Sequence, residues 1–318
     1  MRPECVDTAS VLHRRSTAVF AIGFFAAILV SVSEGSIVRN GRLLAIVDTG
    51  VAERLCLVSA RGQLRALPLR GHFLDADWNP AGSRFAYSAG QVTGEWLVVT
   101  AAADGSKRRV VGGSVNVGEV AWSPDGLKIA FVVAEWNGPE TAIVVMRLDR
   151  PGAAPKYVFG GSYDRDDWGE YGSPSWSPDS RLLAYDMFVN GHQEVFVAQA
   201  DGSDRRQLTT KGGYNPSWSP DGTRIAFGAA PEQVARLYTI RPNGTGVIAI
   251  ADDAGAAEWS PDSRWLAFTR NKGRDLVRVR STGGAPAVIA RSAHPIVDLA
   301  WQPAGRDSAA ALPTRRCV

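Results

Sequence analysis

Histidine, methionine and cysteine are scarce in this chain: four, three and three among 318 residues. Three cysteines cannot staple a disulfide mini-fold, and a chain of this length buries enough surface to do without one. The sequence contains no H-E-x-x-H, no C-x-x-C, no phosphate-binding P-loop and no G-x-S-x-G nucleophile elbow. Those absences argue against zincin chemistry, thiol redox chemistry, nucleotide hydrolysis and a fused prolyl-peptidase domain. A charge excess is missing too. The 35 basic and 32 acidic residues leave a net +3 with no basic block, so nucleic acid is not an expected partner. Disorder is excluded by ordinary globular usage, 45% hydrophobic and 21% charged.

Glycine and proline are plentiful, at 33 and 18, and they punctuate short apolar runs. That pattern predicts many short strands joined by turns. One long apolar run exists. It extends without charge from Ser16 to Ser33 and follows the basic His13-Arg14-Arg15. Ser31 and Ser33 are the small residues a signal peptidase needs before Glu34. Residues 1–33 are therefore expected to be a signal peptide, with an N-terminal membrane anchor as the alternative. Either way the protein is expected to be exported, periplasmic or extracellular, and to touch a membrane only through this segment.

A repeat dominates the remainder. Trp-Ser-Pro-Asp recurs at Trp122, Trp176, Trp218 and Trp259, with decayed copies at Trp78 and Trp301, and the successive spacings are 44, 54, 42, 41 and 42 residues. A second signature follows each tryptophan except the last: Arg84-Phe-Ala-Tyr87, Lys128-Ile-Ala-Phe131, Leu182-Leu-Ala-Tyr185, Arg224-Ile-Ala-Phe227 and Trp265-Leu-Ala-Phe268. Each period reads as four strands. Strand A ends at the tryptophan, Ser-Pro-Asp-Gly turns the chain, and strand B carries the Ala-aromatic pair. Strand C alternates, as in Thr141-Ala-Ile-Val-Val-Met146, and a tight Asp-Gly or Asn-Gly turn leads to strand D. Four short strands per 42 residues predict an all-β, six-bladed β-propeller. The first blade has B, C and D strands but no A before Trp78, and an unpartnered A strand ends at Trp301. The C-terminal strand is thus expected to complete that blade and remove the open sheet edges. The expected propeller spans 34–306, followed by a flexible tail, 307–318.

This repeat resembles the WD-like propeller repeat of the TolB family, whose blades carry W-S-P-D-G followed by x-Ile-Ala-Phe. The resemblance covers about residues 37–305. It implies the propeller part alone, since no room is expected between Glu34 and the first strand for the α/β domain that precedes the propeller in TolB. The family is named for its role in the Tol–Pal system.

Turn chemistry accounts for the repeated Asp125, Asp179, Asp221 and Asp262, and inter-blade packing for the six tryptophans. Sites are expected instead on the face carrying the D–A and B–C loops. An insertion of about twelve residues before Trp176 brings Tyr163, Asp164, Asp166, Asp167, Trp168, Glu170 and Tyr171 together. Aromatic anchors among acids suit a cationic protein or peptide segment, or an envelope glycan. Tyr214, His72 and His294 are expected to extend this binding surface across the channel mouth. Three positions before the tryptophans stand Asp75, Glu119, Ser173, Asn215, Ala256 and Asp298. Asp75, Glu119 and Asp298 could contribute to a Ca²⁺ ring, although solvated channel acids are the plainer reading; no other cofactor is expected. The leading function is a non-catalytic, monomeric binding propeller. The alternative is an extracellular hydrolase or lyase using Asp75, Glu119, Asp298, His72 and His294, although so few histidines weigh against the metal-dependent propeller lyases and lactonases. Cys56 could bridge Cys317 across the closure seam, but a free, buried Cys56 is the preferred expectation.

Overall fold

The computed structural model describes residues 42–303 apart from 60–61, 92–93, 115, 135–140, 151, 153, 161–169, 231–233 and 255. They form six four-stranded antiparallel sheets. Blade 2 comprises β4 (His72–Trp78), β5 (Arg84–Gly90), β6 (Trp96–Ala102) and β7 (Arg109–Ser114). Blade 3 comprises β8 (Asn116–Trp122), β9 (Lys128–Ala134), β10 (Thr141–Arg147) and β11 (Lys156–Phe159). Blade 4 comprises β12 (Tyr171–Trp176), β13 (Leu182–Val189), β14 (His192–Gln199) and β15 (Arg206–Gln207). Blade 5 comprises β16 (Tyr214–Trp218), β17 (Ile225–Ala229), β18 (Arg236–Ile240) and β19 (Ile248–Asp252). Blade 6 comprises β20 (Glu258–Trp259), β21 (Trp265–Arg270), β22 (Asp275–Arg280) and β23 (Ala287–Arg291). Blade 1 joins the two ends: β24 (Ile296–Trp301) pairs with β1 (Leu43–Asp48), followed by β2 (Glu53–Val58) and β3 (Leu64–Ala66). The six-bladed propeller and its C-terminal closure are as the repeat predicts. The expected boundaries at 33/34 and 306/307 lie outside the described residues. Among the described residues no helix is long and apolar enough to cross a membrane.

No single core sits at the centre. The buried apolar residues fall into six clusters, and each fills one seam between neighbouring blades. Period-two alternation along strand B explains this. On β1, Leu44 and Ile46 face blade 2, while Leu43, Ala45 and Val47 face blade 6. The tryptophans ending the inner strands belong to these seams, as expected. Trp176 and Trp259 also donate their indole N–H across a seam, to the Ala121 carbonyl at 3.1 Å and the Ser217 carbonyl at 3.0 Å.

The repeated aspartates are turn residues. In blade 3 the Ser123 hydroxyl donates to Asp125 at 2.6 Å and accepts the Lys128 N–H at 2.9 Å, and Asp125 accepts the Leu127 N–H at 2.9 Å. The same set recurs around Asp179, Asp221 and Asp262. Ser180 and Ser263 hold the left-handed turn position that Gly126 and Gly222 occupy elsewhere. Their hydroxyls accept the N–H groups of Asp125 and Asp221 in the preceding blade, at 2.8 and 3.0 Å. These turns therefore stitch blades together as well as reversing the chain.

Cys56 on β2 is fully buried and disulfide-bonded, which corrects the expectation of a free thiol. Cys5 and Cys317 lie outside the described residues, and so does the expected Cys56–Cys317 pairing.

Candidate binding channel and loop face

The six inner strands enclose a channel of about 340 Å³. Its walls carry Asp75, Asp77, Glu119, Glu258 and Asp298, and no lysine, arginine or histidine among the described residues. Strand alternation delivers these acids. Positions three and one before each tryptophan lie on the same side of strand A, so Asp75 and Asp77 of β4 both project toward blade 3.

Most of these carboxyls have structural partners. Asp75 accepts the Val120 N–H at 2.5 Å, and Asp77 accepts the Trp122 N–H at 2.7 Å. Asp298 accepts the Ala76 N–H at 3.1 Å. In blade 4, Asp186 from β13 accepts the Asn215 N–H at 3.0 Å, and the Ser175 hydroxyl accepts the Trp218 N–H at 3.0 Å. Each acceptor thus caps a backbone donor of the next blade's inner strand, a donor that has no ladder partner on the channel side.

Enclosure by protein dominates the proton affinities here. Burial pushes Asp77 up to about 7, against the pull of the Trp122 N–H. Burial also lifts Glu258 well above the carboxylate range, reinforced by Asp77 and Asp75. Asp75 is raised well above that range by burial and by the adjacent Asp298, with which it shares a carboxyl–carboxyl hydrogen bond. Asp298 rises to about 7, chiefly through burial, while that hydrogen bond pulls the other way. The two carboxyls thus hold protons above the ordinary carboxylate range as a pair. Asp186 reaches about 6 through burial. Its carboxylate fills the place a side chain on Gly172 would take, since a Cβ there would collide with Asp186 Oδ1.

Residues 169–308 match the family model described as the TolB beta propeller domain. The repeat is of the TolB type. Among similar proteins, a TolB homolog of Chlorobium chlorochromatii is 29% identical over 231 residues, covering 70% of this chain and 50% of that protein. A Bacillus subtilis protein named uncharacterized peptidase YuxL is 28% identical over 117 residues, covering 35% of this chain and 17% of the relative. The chain thus spans half or less of the length of these relatives. The crystal structure of TolB from Acinetobacter baumannii superposes with a TM-score of 0.71 at 18% identity, covering 83% of this chain and 67% of that one. At that identity the TolB likeness shows the fold.

The residues expected to act are not all brought together. Asp75, Glu119 and Asp298 line the channel as expected. Among the described residues no group of three His, Cys, Asp or Glu side chains is arranged to hold a metal ion. Asp75 and Asp298 face each other instead. His72 is exposed, and its Nδ1 lies 2.8 Å from Glu53 Oε2, away from the channel wall. His294 is half-buried in the loop before β24 and does not line the channel either. Both histidines precede the residues of strand A that reach the wall, so neither is brought beside the channel acids. For Tyr171 the expectation is corrected. It is not a surface anchor but 2% exposed, with its ring 6.0 Å from Phe159 in the seam between blades 3 and 4. Its N–H donates to the Thr141 hydroxyl at 2.5 Å as β12 begins. Tyr214 is half-buried at the start of β16, and Glu170 is exposed. Tyr163, Asp164, Asp166, Asp167 and Trp168 lie outside the described residues.

Sequence reasoning missed Asp77, Glu258 and Asp186. The first two stand one position before a tryptophan, so the alternation that selects Asp75 and Asp298 selects them as well. For Asp186 the signal was an acid inside the apolar run Leu182-Leu-Ala-Tyr-Asp-Met187.

Proposed function

We propose that the protein is an exported, non-catalytic propeller that binds a protein or peptide partner through its D–A and B–C loops. The observation that carries this reading is the state of the channel. Three of its five carboxyls, Asp75, Asp77 and Asp298, accept backbone N–H groups of the next blade, and no histidine among the described residues lines the channel for proton transfer. Variation is concentrated on the loop face, which carries the insertion before β12. Loops on a rigid scaffold are the usual place for recognition. Resemblance to TolB, a component of the Tol–Pal system, supports a protein partner, and the apolar Ser16–Ser33 run supports export. The test compares wild-type protein with Trp168→Ala in capture of envelope proteins, with melting followed in parallel. Loss of one wild-type partner at unchanged melting temperature supports the reading. Full retention of every partner by the variant removes the insertion from it.

The enzymatic alternative rests on the hydrogen-bonded Asp75–Asp298 pair, in which two carboxyls share a proton as an acid–base dyad would. Asp298→Asn keeps the Ala76 N–H acceptor and removes the dyad. Hydrolysis of an extracellular peptide or glycan that disappears in this variant, with the fold intact, would establish the alternative.

A further inference from the structure

The two faces of the propeller differ in charge: the turn face is basic and the loop face is close to neutral. In an antiparallel blade the A–B and C–D turns share one face. Take each A–B turn from the residue after strand A through the first residue of strand B. Take each C–D turn from two residues before the end of strand C through the second residue of strand D. These segments hold eighteen lysines and arginines against eight aspartates among the described residues, a net +10. The loops of the other face, with the strand ends beside them, hold eight basic and seven acidic side chains among the described residues, and the other seven acids lie in the channel and within strands. A whole-chain charge of +3 conceals this polarity.

The basic residues are well placed for contact. Lys107, Arg108 and Arg109 are consecutive and exposed, as are Arg205 and Arg206. The aspartates among them stay ionised and are already subtracted in that sum, and two of them pair with Lys128 and Arg147. Asp104 accepts the Ser106 N–H at 2.9 Å, Asp201 accepts the Ser203 N–H at 3.0 Å, and Asp179 is lowered by its bond from Ser177. Exposed apolar side chains stand among the cations, including Leu127 and Tyr157.

A second, independent observation concerns the chain entry. Every strand B begins on the turn face, so the described chain enters β1 there, through Arg42. The uncharged Ser16–Ser33 run lies only eight residues upstream of Arg42. Even fully extended, eight residues reach no further than about 28 Å. Where that run is retained as an anchor, the membrane it enters is therefore presented to the basic turn face.

We propose that the turn face docks on an anionic phospholipid surface, holding the loop face and the channel mouth away from the bilayer. Lysines and arginines near an anionic leaflet add attraction one by one, and salt weakens it. Exposed Leu127 and Tyr157 would rest at headgroup level.

Sedimentation of the full chain with lipid vesicles tests this. Vesicles of phosphatidylcholine alone are compared with vesicles carrying about one-third phosphatidylglycerol. The apolar segment contributes equally to both, so the difference between them reads the docking face. The expected result is tighter binding to the anionic vesicles, abolished by a roughly tenfold rise in salt. Lys107→Glu, Arg108→Glu and Arg109→Glu combined should weaken that binding at least about a hundredfold. Lys211→Glu, Lys272→Glu and Arg274→Glu combined, on the loop side with the same change in net charge, should leave it within about threefold. If the first variant melts early, Lys156→Glu with Arg205→Glu and Arg206→Glu replaces it. Equal binding to both vesicles, or equal loss in the two variants, would overturn the proposal. So would binding to heparin without binding to vesicles, which would identify the face as a reader of soluble polyanions.

Discussion

The two halves of the channel solve one problem with different chemistry. At blades 2 and 3 the Trp122 N–H is capped by the carboxylate of Asp77 at 2.7 Å. At blades 4 and 5 the Trp218 N–H, in the same register, is capped by the hydroxyl of Ser175 at 3.0 Å. A neutral oxygen therefore suffices for the geometry. The carboxyl groups on the acidic side are an addition, and burial, reinforced by neighbouring acids, raises the proton affinity of Asp77, Glu258 and Asp298. Seam packing is common to both halves, while the most strongly raised carboxyls lie on the acidic side and Asp186 alone is raised at blades 4 and 5 among the described residues.

Breaking the shared part should have the largest effect. Tyr185 is fully buried in the seam of blades 3 and 4, its ring 4.3 Å from Phe159. Tyr185→Ala is expected to cost ~3–5 kcal/mol in a denaturant titration, by loss of packing and a cavity. A cost below about 1 kcal/mol would show that the seam clusters do not hold the ring.

The next effect sharpens the difference through pH. Asp77 and Asp298 titrate near 7 and Asp186 near 6 when folded, all above their unfolded values. Between about pH 4 and 7 the folded state thus binds more protons than the unfolded one. Stability from these groups is complete below about pH 4, falls as pH rises to about 7, and is flat beyond. The turn aspartates oppose it at the acid end. Asp179, held low by the Ser177 hydroxyl, loses its contribution as pH falls below the ordinary carboxylate value. Melting temperature should therefore be higher at pH 5 than at pH 8, and a higher value at pH 8 would refute the raised channel carboxyls.

Exchanging the two chemistries gives a smaller effect. Asp77→Ser keeps an acceptor for the Trp122 N–H and removes one buried charge, so it should stabilise the protein at pH 8 by ~1–3 kcal/mol and flatten the pH dependence. Ser175→Asp should import that dependence into blade 4. Unchanged pH profiles in both variants would mean that these positions do not carry the titration.

The smallest effect separates bonded from unbonded tryptophans. The Trp176 indole N–H has the Ala121 carbonyl as acceptor, whereas that of Trp218 is buried without a partner among the described residues. Trp176→Phe should cost about 1 kcal/mol more than Trp218→Phe, the net worth of one hydrogen bond. Equal costs in chemical denaturation would remove the cross-seam bond from the account.

The fold was legible because each blade spells the same physics: a turn that needs Pro, Asp and a left-handed residue, then a strand buried on both sides. Even Ser180 and Ser263 fit, since a serine at a left-handed position still completes the turn. Three of the five channel acids were legible, Asp75, Glu119 and Asp298. Their hydrogen bonding was not, because strand sequence gives the side of a residue but not the distance to a neighbouring blade's backbone. Tyr171 was assigned to the insertion because the 54-residue spacing does not mark where the loop ends and β12 begins. His72 and His294 were placed at the mouth because a loop position gives the face but not the radius from the axis. Charge polarity was legible in principle, once the turns of all six blades are summed as one surface.

Pairing of β24 with β1 joins Leu43 to Trp301, the longest sequence separation in the molecule's sheets. The first strand to leave a ribosome or a translocation pore must therefore wait for the last. Until it arrives, the inner edge of blade 1 has no partner and the seam toward blade 6 is open. Assembly with such long-range pairing is slow, and an open edge invites pairing with another chain. Truncation before Ile296 is expected to leave the inner edge of blade 1 open to pairing with another chain.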